Sequence, residues 1–225
     1  QLDNLQKALE KIKAIELESV VIVGDLTSTG TPKEFKAIEK KLDDFDLDFY
    51  LIPGNHDLWY EREQGVDVFS QYFGQRYYAK KIDDYQFIFL DNADEWQGFD
   101  SKQLSWLDHY LFLSKDFMSG KMEGKYLVFT HIPFWHPENK KAMGEYSQAM
   151  KDQAYEMMQK FCQSPPLAIF SGHLHKTGDY NYGCGNGRQI RMINAGSIHE
   201  TRNLQLPRFL QMTILAGGQL QTEEL

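Results

Sequence analysis

Residues 19–30 read SVVIVGDLTSTG. Four consecutive β-branched residues, Val20 to Val23, run into a glycine and then a carboxylate, Asp25. An unbroken apolar run of this kind reads as a strand buried on both faces of a parallel sheet, with no wet side. The chain around it alternates between elements. LDNLQKALEKIKAI (2–15) sets Leu2, Leu5, Leu9, Ile12 and Ile15 on one helical face. In TPKEFKAIEKKL (31–42), Thr31 is a good N-cap, Pro32 suits the first turn and Glu34 completes a capping box. Phe35, Ile38 and Leu42 give that helix its inward stripe, and LDFYLIP (47–53) is the next strand. Helix, strand, helix, strand predicts α/β architecture with parallel pairing.

Further along, YYAKKIDDYQFIFL (77–90) reads as a hairpin turning at Asp83–Asp84. DSKQLSWLDHYLFL (100–113) reads as a helix with Leu104, Leu107 and Leu111 inward. YLVFT (126–130) and LAIF (167–170) are buried strands, and EYSQAMKDQAYEMMQKFC (145–162) is a helix halted before Pro165–Pro166. GDYNY, RQIRMINA after the turn CGNG, and RFLQMTIL make the end of the chain β-rich. No repeat or linker divides the sequence, so residues 1–225 read as one domain with room for a sizeable core. No apolar run reaches bilayer length, so no transmembrane segment is expected. The sequence opens on Gln1 rather than a methionine, and compartment and oligomeric state are not read from it. A net charge of −8 argues against a nucleic-acid surface. The pair Lys140–Lys141 is too small for a nucleic-acid patch and reads as a solvated loop. Cys162 and Cys184 suggest neither a disulfide framework nor a zinc–thiolate site: Cys162 reads as a small core residue of a helix, Cys184 as incidental to a turn.

The chemistry collects where apolar runs stop. VVIV leads to Gly24-Asp25, FYLIP to Gly54-Asn55-His56-Asp57, YLVFT to His131, and LAIFS to Gly172-His173-Leu174-His175. Ligands of an open parallel sheet bind beyond the carboxyl ends of its strands. If the four strands are parallel neighbours, Asp25, Asn55, His131, His173 and His175 converge. Oxygen and imidazole donors without a thiolate suit manganese, iron, zinc or nickel better than calcium, and Asp25 has the two oxygens needed to bridge two ions. A lone Gly-Asp is a common turn, and a lone histidine after a strand is more often a satisfied buried residue than a ligand. GNHD (54–57) is the specific part, because Asn, His and Asp together are poor helix or strand material.

In this order, GD, GNHD, a histidine after a strand and GHLH resemble the calcineurin-like metallophosphoesterase superfamily over residues 24–175. NAGS (194–197) is similar to that family's closing strand-and-turn, and QLSWLDHYL (103–111) resembles a helix of its cyclic-nucleotide phosphodiesterase and purple acid phosphatase branch. The resemblance implies two packed mixed β-sheets flanked by helices, an αββα sandwich. It implies a phosphoesterase with two divalent or trivalent transition-metal ions, manganese, iron or zinc foremost. The substrate would be a small phosphomonoester, phosphodiester or nucleotide, attacked by a metal-bridging hydroxide. Asp25 then corresponds to the bridging ligand, Asn55, His131 and His173 to ligands of one ion, and His175 to a ligand of the other. His56 is similar to the family's non-ligand histidine beside the leaving group, with Asp57 orienting it.

The family's first motif, Asp-x-His, is absent from this sequence. Either an upstream strand carries it, leaving residues 1–225 as a domain without its first strand, or one metal site has been lost and the protein is a metal-poor scaffold. A nuclease of the same superfamily is a further alternative, opposed by the acidic composition. Trp59, Trp135 and His136 follow GNHD and His131 and are candidate walls of a substrate pocket; packing of the loops on one another explains them equally well, and His199 reads as solvent-exposed.

Overall fold

The computed structural model describes residues 2–15, 17, 19–138, 141–185, 187–200 and 204–225. Lys140 and Asn186 of the CGNG turn lie outside the described residues, while Lys141 is exposed. The elements run α1 (Leu2–Lys13), β1 (Ser19–Val23), α2 (Pro32–Asp43), β2 (Asp48–Ile52), α3 (Trp59–Gln64), α4 (Phe69–Phe73), β3 (Tyr78–Ile82) and β4 (Tyr85–Phe89). Then come α5 (Ser101–Leu107), which passes into a π-helical turn at Asp108–Phe112, α6 (Lys115–Met118), β5 (Tyr126–Thr130) and α7 (Gln148–Phe161). Strands β6 (Ala168–Ser171), β7 (Gly178–Gly185), β8 (Arg188–Asn194), β9 (Leu210–Ile214) and β10 (Leu220–Glu224) complete the chain. The capping box read at Thr31 and Glu34 forms, with both reciprocal bonds in place.

Strand periodicity sorts the side chains into four layers. Six strands lie in the order β3-β4-β5-β6-β8-β7, with β4, β5, β6 and β8 parallel. One face of this sheet, through Ile88, Tyr126, Val128, Ile169 and Met192, buries against α5, α6 and α7. The alternate residues, Phe87, Phe89, Leu127, Phe129, Phe170 and Ile193, point the other way onto β1, β2, β9 and β10. There Tyr78, Phe89, Phe129 and Phe170 form a stacked ladder with centroid spacings of 4.5, 5.0 and 5.2 Å. The outer face of β1 and β2 is covered by α1, α2 and α4 through Leu5, Leu9, Phe35, Ile38 and Phe69. Helices, sheet, sheet, helices is the αββα arrangement expected.

Two expectations are corrected. β1 is not fully buried; all five of its residues are half-buried. It pairs in parallel with β2 on one edge only. On the other side β9 pairs with β10 alone, although Val21 and Val23 share a core with Leu210, Met212 and Ile214. Val20 and Ile22 likewise share the outer core with Ile198 and Phe209. The same two cores thus continue from β1 to β9, yet no ladder joins the strands among the described residues.

The second correction concerns the cysteines. Cys162 and Cys184 form a disulfide, with a Cα–Cα distance of 5.3 Å. Strand alternation puts Tyr180, Tyr182 and Cys184 on the face of β7 that lies against the core of α7, whose C-terminal end carries Cys162. Sequence separation could not show that β7 doubles back over that helix. Closing a 22-residue separation restricts the unfolded chain by about 3 kcal/mol on the chain-entropy account. Urea unfolding with and without a reductant, and of Cys184→Ser, is expected to show a loss of that order.

Candidate metal centre

Two glycines set the geometry of the site. Gly24 follows β1 with φ +93°, and a Cβ there would meet His131 Nδ1 at 2.4 Å and Gly54 Cα at 2.7 Å. A Cβ on Gly54 would fall 2.2 Å from the Asp25 nitrogen and 2.3 Å from its Oδ1. Only glycine permits this approach, and through it the ends of β1 and β2 close onto the end of β5. Asp25, His173 and His175 all adopt positive φ, 57°, 65° and 52°, a conformation costly for residues with a Cβ and concentrated at functional sites.

Four predicted side chains converge. Asn55 Oδ1 lies 3.0 Å from His131 Nε2 and 3.2 Å from His173 Nδ1. The two ring nitrogens are 3.3 Å apart, and Asp25 Oδ1 is 3.4 Å from His131 Nε2. His131 Nδ1 contacts the Val23 carbonyl at 2.7 Å; a carbonyl only accepts, so Nδ1 carries a proton, and in the neutral ring Nε2 is the nitrogen that presents a lone pair. Burial and the neighbouring His131 push His173 down to about 3, so its ring is neutral near pH 7. Burial alone would raise Asp25, but His131, His56, the His56 N–H and His173 outweigh it and hold the carboxyl below its usual range.

The cluster therefore turns lone pairs toward one another: a carboxylate, an amide oxygen and imidazole nitrogens. Such a set is repulsive by itself and suits a shared cation. Edges of 3.0–3.4 Å are also what donors about 2.1 Å from one ion subtend. Among the described residues no three His, Cys, Asp and Glu side chains alone make a metal cluster; Asn55 Oδ1, within 3.0 and 3.2 Å of the two rings, is the further donor here. His175 lines the adjoining cavity of about 390 Å³, as do Asp25, His56, His131 and His173. That cavity extends past Ile22 and Val23 toward Leu5, Ile38 and Ile198, along the open side of β1.

The remaining expectations divide. His56 is held at three points: its N–H donates to Asp25 Oδ1 at 3.1 Å, its Nδ1 contacts the Ser28 carbonyl at 3.0 Å, and its ring lies on Trp59 with centroids 4.4 Å apart. Asp57 does not orient His56 directly, contrary to expectation. Its carboxylate points back into the loop after β1, accepting from Leu26 N, Thr27 N, Thr27 Oγ1 and Gly54 N. Burial, then the nearby Asp25, push this carboxyl up. Trp135 and His136 are not brought to the cavity: Trp135 packs edge-on against Tyr182, and His136 Nε2 lies 3.2 Å from the Tyr180 hydroxyl. His199, read as exposed, lines the cavity instead.

The sequence reading missed Asn92. Fully buried, it accepts from the backbone of His131 and Ile132 at 3.1 and 3.0 Å and donates to the Ile132 carbonyl at 2.6 Å. The signal was present: Asn92 stands just past the carboxyl end of β4, a parallel neighbour of β5, but YYAKKIDDYQFIFL was read only as a hairpin. Asn92→Ala leaves the buried His131 and Ile132 N–H groups without this acceptor, at about 1–3 kcal/mol. Denaturant unfolding is expected to show that loss.

The sequence profile of calcineurin-like phosphoesterases matches residues 1–177, and the chain belongs to that family. Among relatives, it is 26% identical over 166 residues to a probable glycerophosphodiester phosphodiesterase, GpdQ, of Arcobacter nitrofigilis, covering 70% of this chain and 56% of that one. A probable cyclic nucleotide phosphodiesterase of Fibrobacter succinogenes is 30% identical over 52% of this chain and 43% of its own length. A dimetal phosphatase structure from Danio rerio superposes with a TM-score of 0.65 at 17% identity, covering 100% of this chain and 88% of that one. The chain spans about half the length of the curated relatives it matches.

Proposed function

We propose that this chain is the catalytic domain of a metal-dependent phosphoric ester hydrolase acting on a small phosphomonoester or phosphodiester. The observation that carries the reading is the facing of Asn55 Oδ1 and His131 Nε2 at 3.0 Å, two acceptors when the ring is neutral, which a bound cation turns from repulsion into ligation. Asp25, Asn55, His131 and His173 would hold one ion, with His175 contributing to a second that Asp25 shares. Bound there, transition-metal ions supply an acidified water as nucleophile and neutralise charge on the phosphoryl oxygens. Family membership supports this chemistry, and the names of the relatives point to phosphodiesters as the first substrates to try.

The chain's own contribution to bond cleavage rests on His56. The Ser28 carbonyl accepts from Nδ1–H, so with the ring in its doubly protonated imidazolium form the proton passed to the leaving oxygen is the one on Nε2, and the ring is left neutral. Trp59, 41% exposed and tilted 37° against that ring, offers an aromatic face to a leaving group. Asn55→Ala is expected to abolish most bound metal, measured by elemental analysis of protein purified without chelator. His56→Ala should keep the metal and lower kcat on a small phosphodiester by about 10²-fold or more; parallel loss of metal and turnover would remove His56 from that role.

The open side of β1 bears on the rest of the ligand set. The two cores that continue from β1 to β9 without a ladder leave space for one extended strand, and an Asp-x-His entering on it would reach the end of β1 beside Asp25. On this reading the backbone amides of β1 that do not face β2 exchange quickly in residues 1–225 and become protected in a protein carrying that strand. Hydrogen exchange reads the difference residue by residue, and equal rates in both proteins would mean that the space takes no strand.

A further inference from the structure

Asp57 is a buried carboxylate, 1% exposed, and none of its hydrogen bonds comes from a cationic side chain. Its Oδ1 accepts from Thr27 N at 2.8 Å and Thr27 Oγ1 at 2.7 Å; its Oδ2 accepts from Leu26 N at 3.1 Å and Gly54 N at 2.9 Å. A charge buried this way is costly unless it is fully hydrogen-bonded. What the four bonds hold is specific. Three land on residues 26 and 27, directly after Asp25, and the fourth on Gly54, directly before Asn55. Thr27 Oγ1 in turn accepts from Gly30 N at 2.9 Å, closing the turn over residues 27–30. Gly30 lies flat against the Asp57 carbonyl, where a Cβ would stand 2.2 Å from the oxygen. In the middle of this clamped turn sits Ser28, whose carbonyl contacts His56 Nδ1.

We propose that Asp57 is a positioning residue for phosphoester hydrolysis. By fixing the turn at residues 26–30 it holds the Ser28 carbonyl against His56 Nδ1 and so keeps the His56 Nε2 proton aimed at the leaving oxygen. This rests on the reading of His56 as the acid that protonates the oxygen when its bond to phosphorus breaks. The carboxylate is needed because both of its oxygens accept. In an amide of the same shape one of them becomes an NH₂ facing N–H donors, and the turn must move to relieve it.

Asp57→Asn and Thr27→Val test this in the full-length protein, with Thr27→Ser as the conservative control that keeps the hydroxyl. In metal-free protein, nitrogen-resolved NMR of the imidazoles identifies the slowly exchanging His56 Nδ1–H by its loss in His56→Gln. Asp57→Asn and Thr27→Val are expected to lose that signal and Thr27→Ser to keep it. In metal-loaded protein, a phosphodiester with an alkyl leaving group needs the proton and one with a p-nitrophenyl leaving group scarcely does. Asp57→Asn should slow the alkyl ester by about 10²-fold and the nitrophenyl ester far less, at wild-type metal content. Equal slowing of both esters, or an unchanged His56 signal in Asp57→Asn, overturns the proposal. If the wild type hydrolyses neither ester, the functional reading fails separately, and the imidazole signal still decides whether Asp57 holds His56.

Discussion

The contact between the Gly24 and Gly54 turns is the constraint on which the site depends. Each turn occupies the space that a Cβ on the other would need, so the loops after β1 and β2 meet backbone to backbone. That contact brings Asp25 and Asn55 to His131, and it lets Asp57 reach across to Leu26 and Thr27. Asn92 acts at the opposite side, pinning the backbone of His131 and Ile132 to the end of β4. The donors are therefore held by fixed main chain on both sides, which is what a preorganised site requires.

The layered core places these loops. The ladder of Tyr78, Phe89, Phe129 and Phe170 keeps the two sheet layers together and orders the parallel strands whose ends form the site. Helices α5 to α7 close one side and α1, α2 and α4 the other. The exception is the margin between β1 and β9, where apolar contacts run on but backbone pairing stops. There the cavity beside Asp25 and His173 runs on along Ile22 and Val23 of β1 to Leu5, Ile38 and Ile198.

Much of this was legible in the sequence, for physical reasons. The alternation of helices and strands gave the α/β class, the four runs ending in Gly, Asn, Asp or His gave the convergence of Asp25, Asn55, His131 and His173, and the layered sandwich came from the family resemblance. What escaped was information about partners distant along the chain. Nothing local to VVIV told that one edge of β1 would be open. The sequence pairs Asp57 with the adjacent His56, whereas three of its four donors sit about 30 residues away on Leu26 and Thr27. Trp135 and His136 follow His131 in sequence, but β7 offers Tyr182 and Tyr180 as closer company. The disulfide needed the same long-range knowledge, because β7 and the end of α7 become neighbours only once the sheet is built.

The left-handed backbone at Asp25, His173 and His175 has a further meaning. Each non-glycine residue held there costs the fold on the order of 1–3 kcal/mol, so the native state carries a standing debt at the very positions where donors gather. Evolution toward greater stability alone would replace these three residues with glycine, and each such gain would erase a donor. At these three positions backbone stability and the donor set therefore pull in opposite directions.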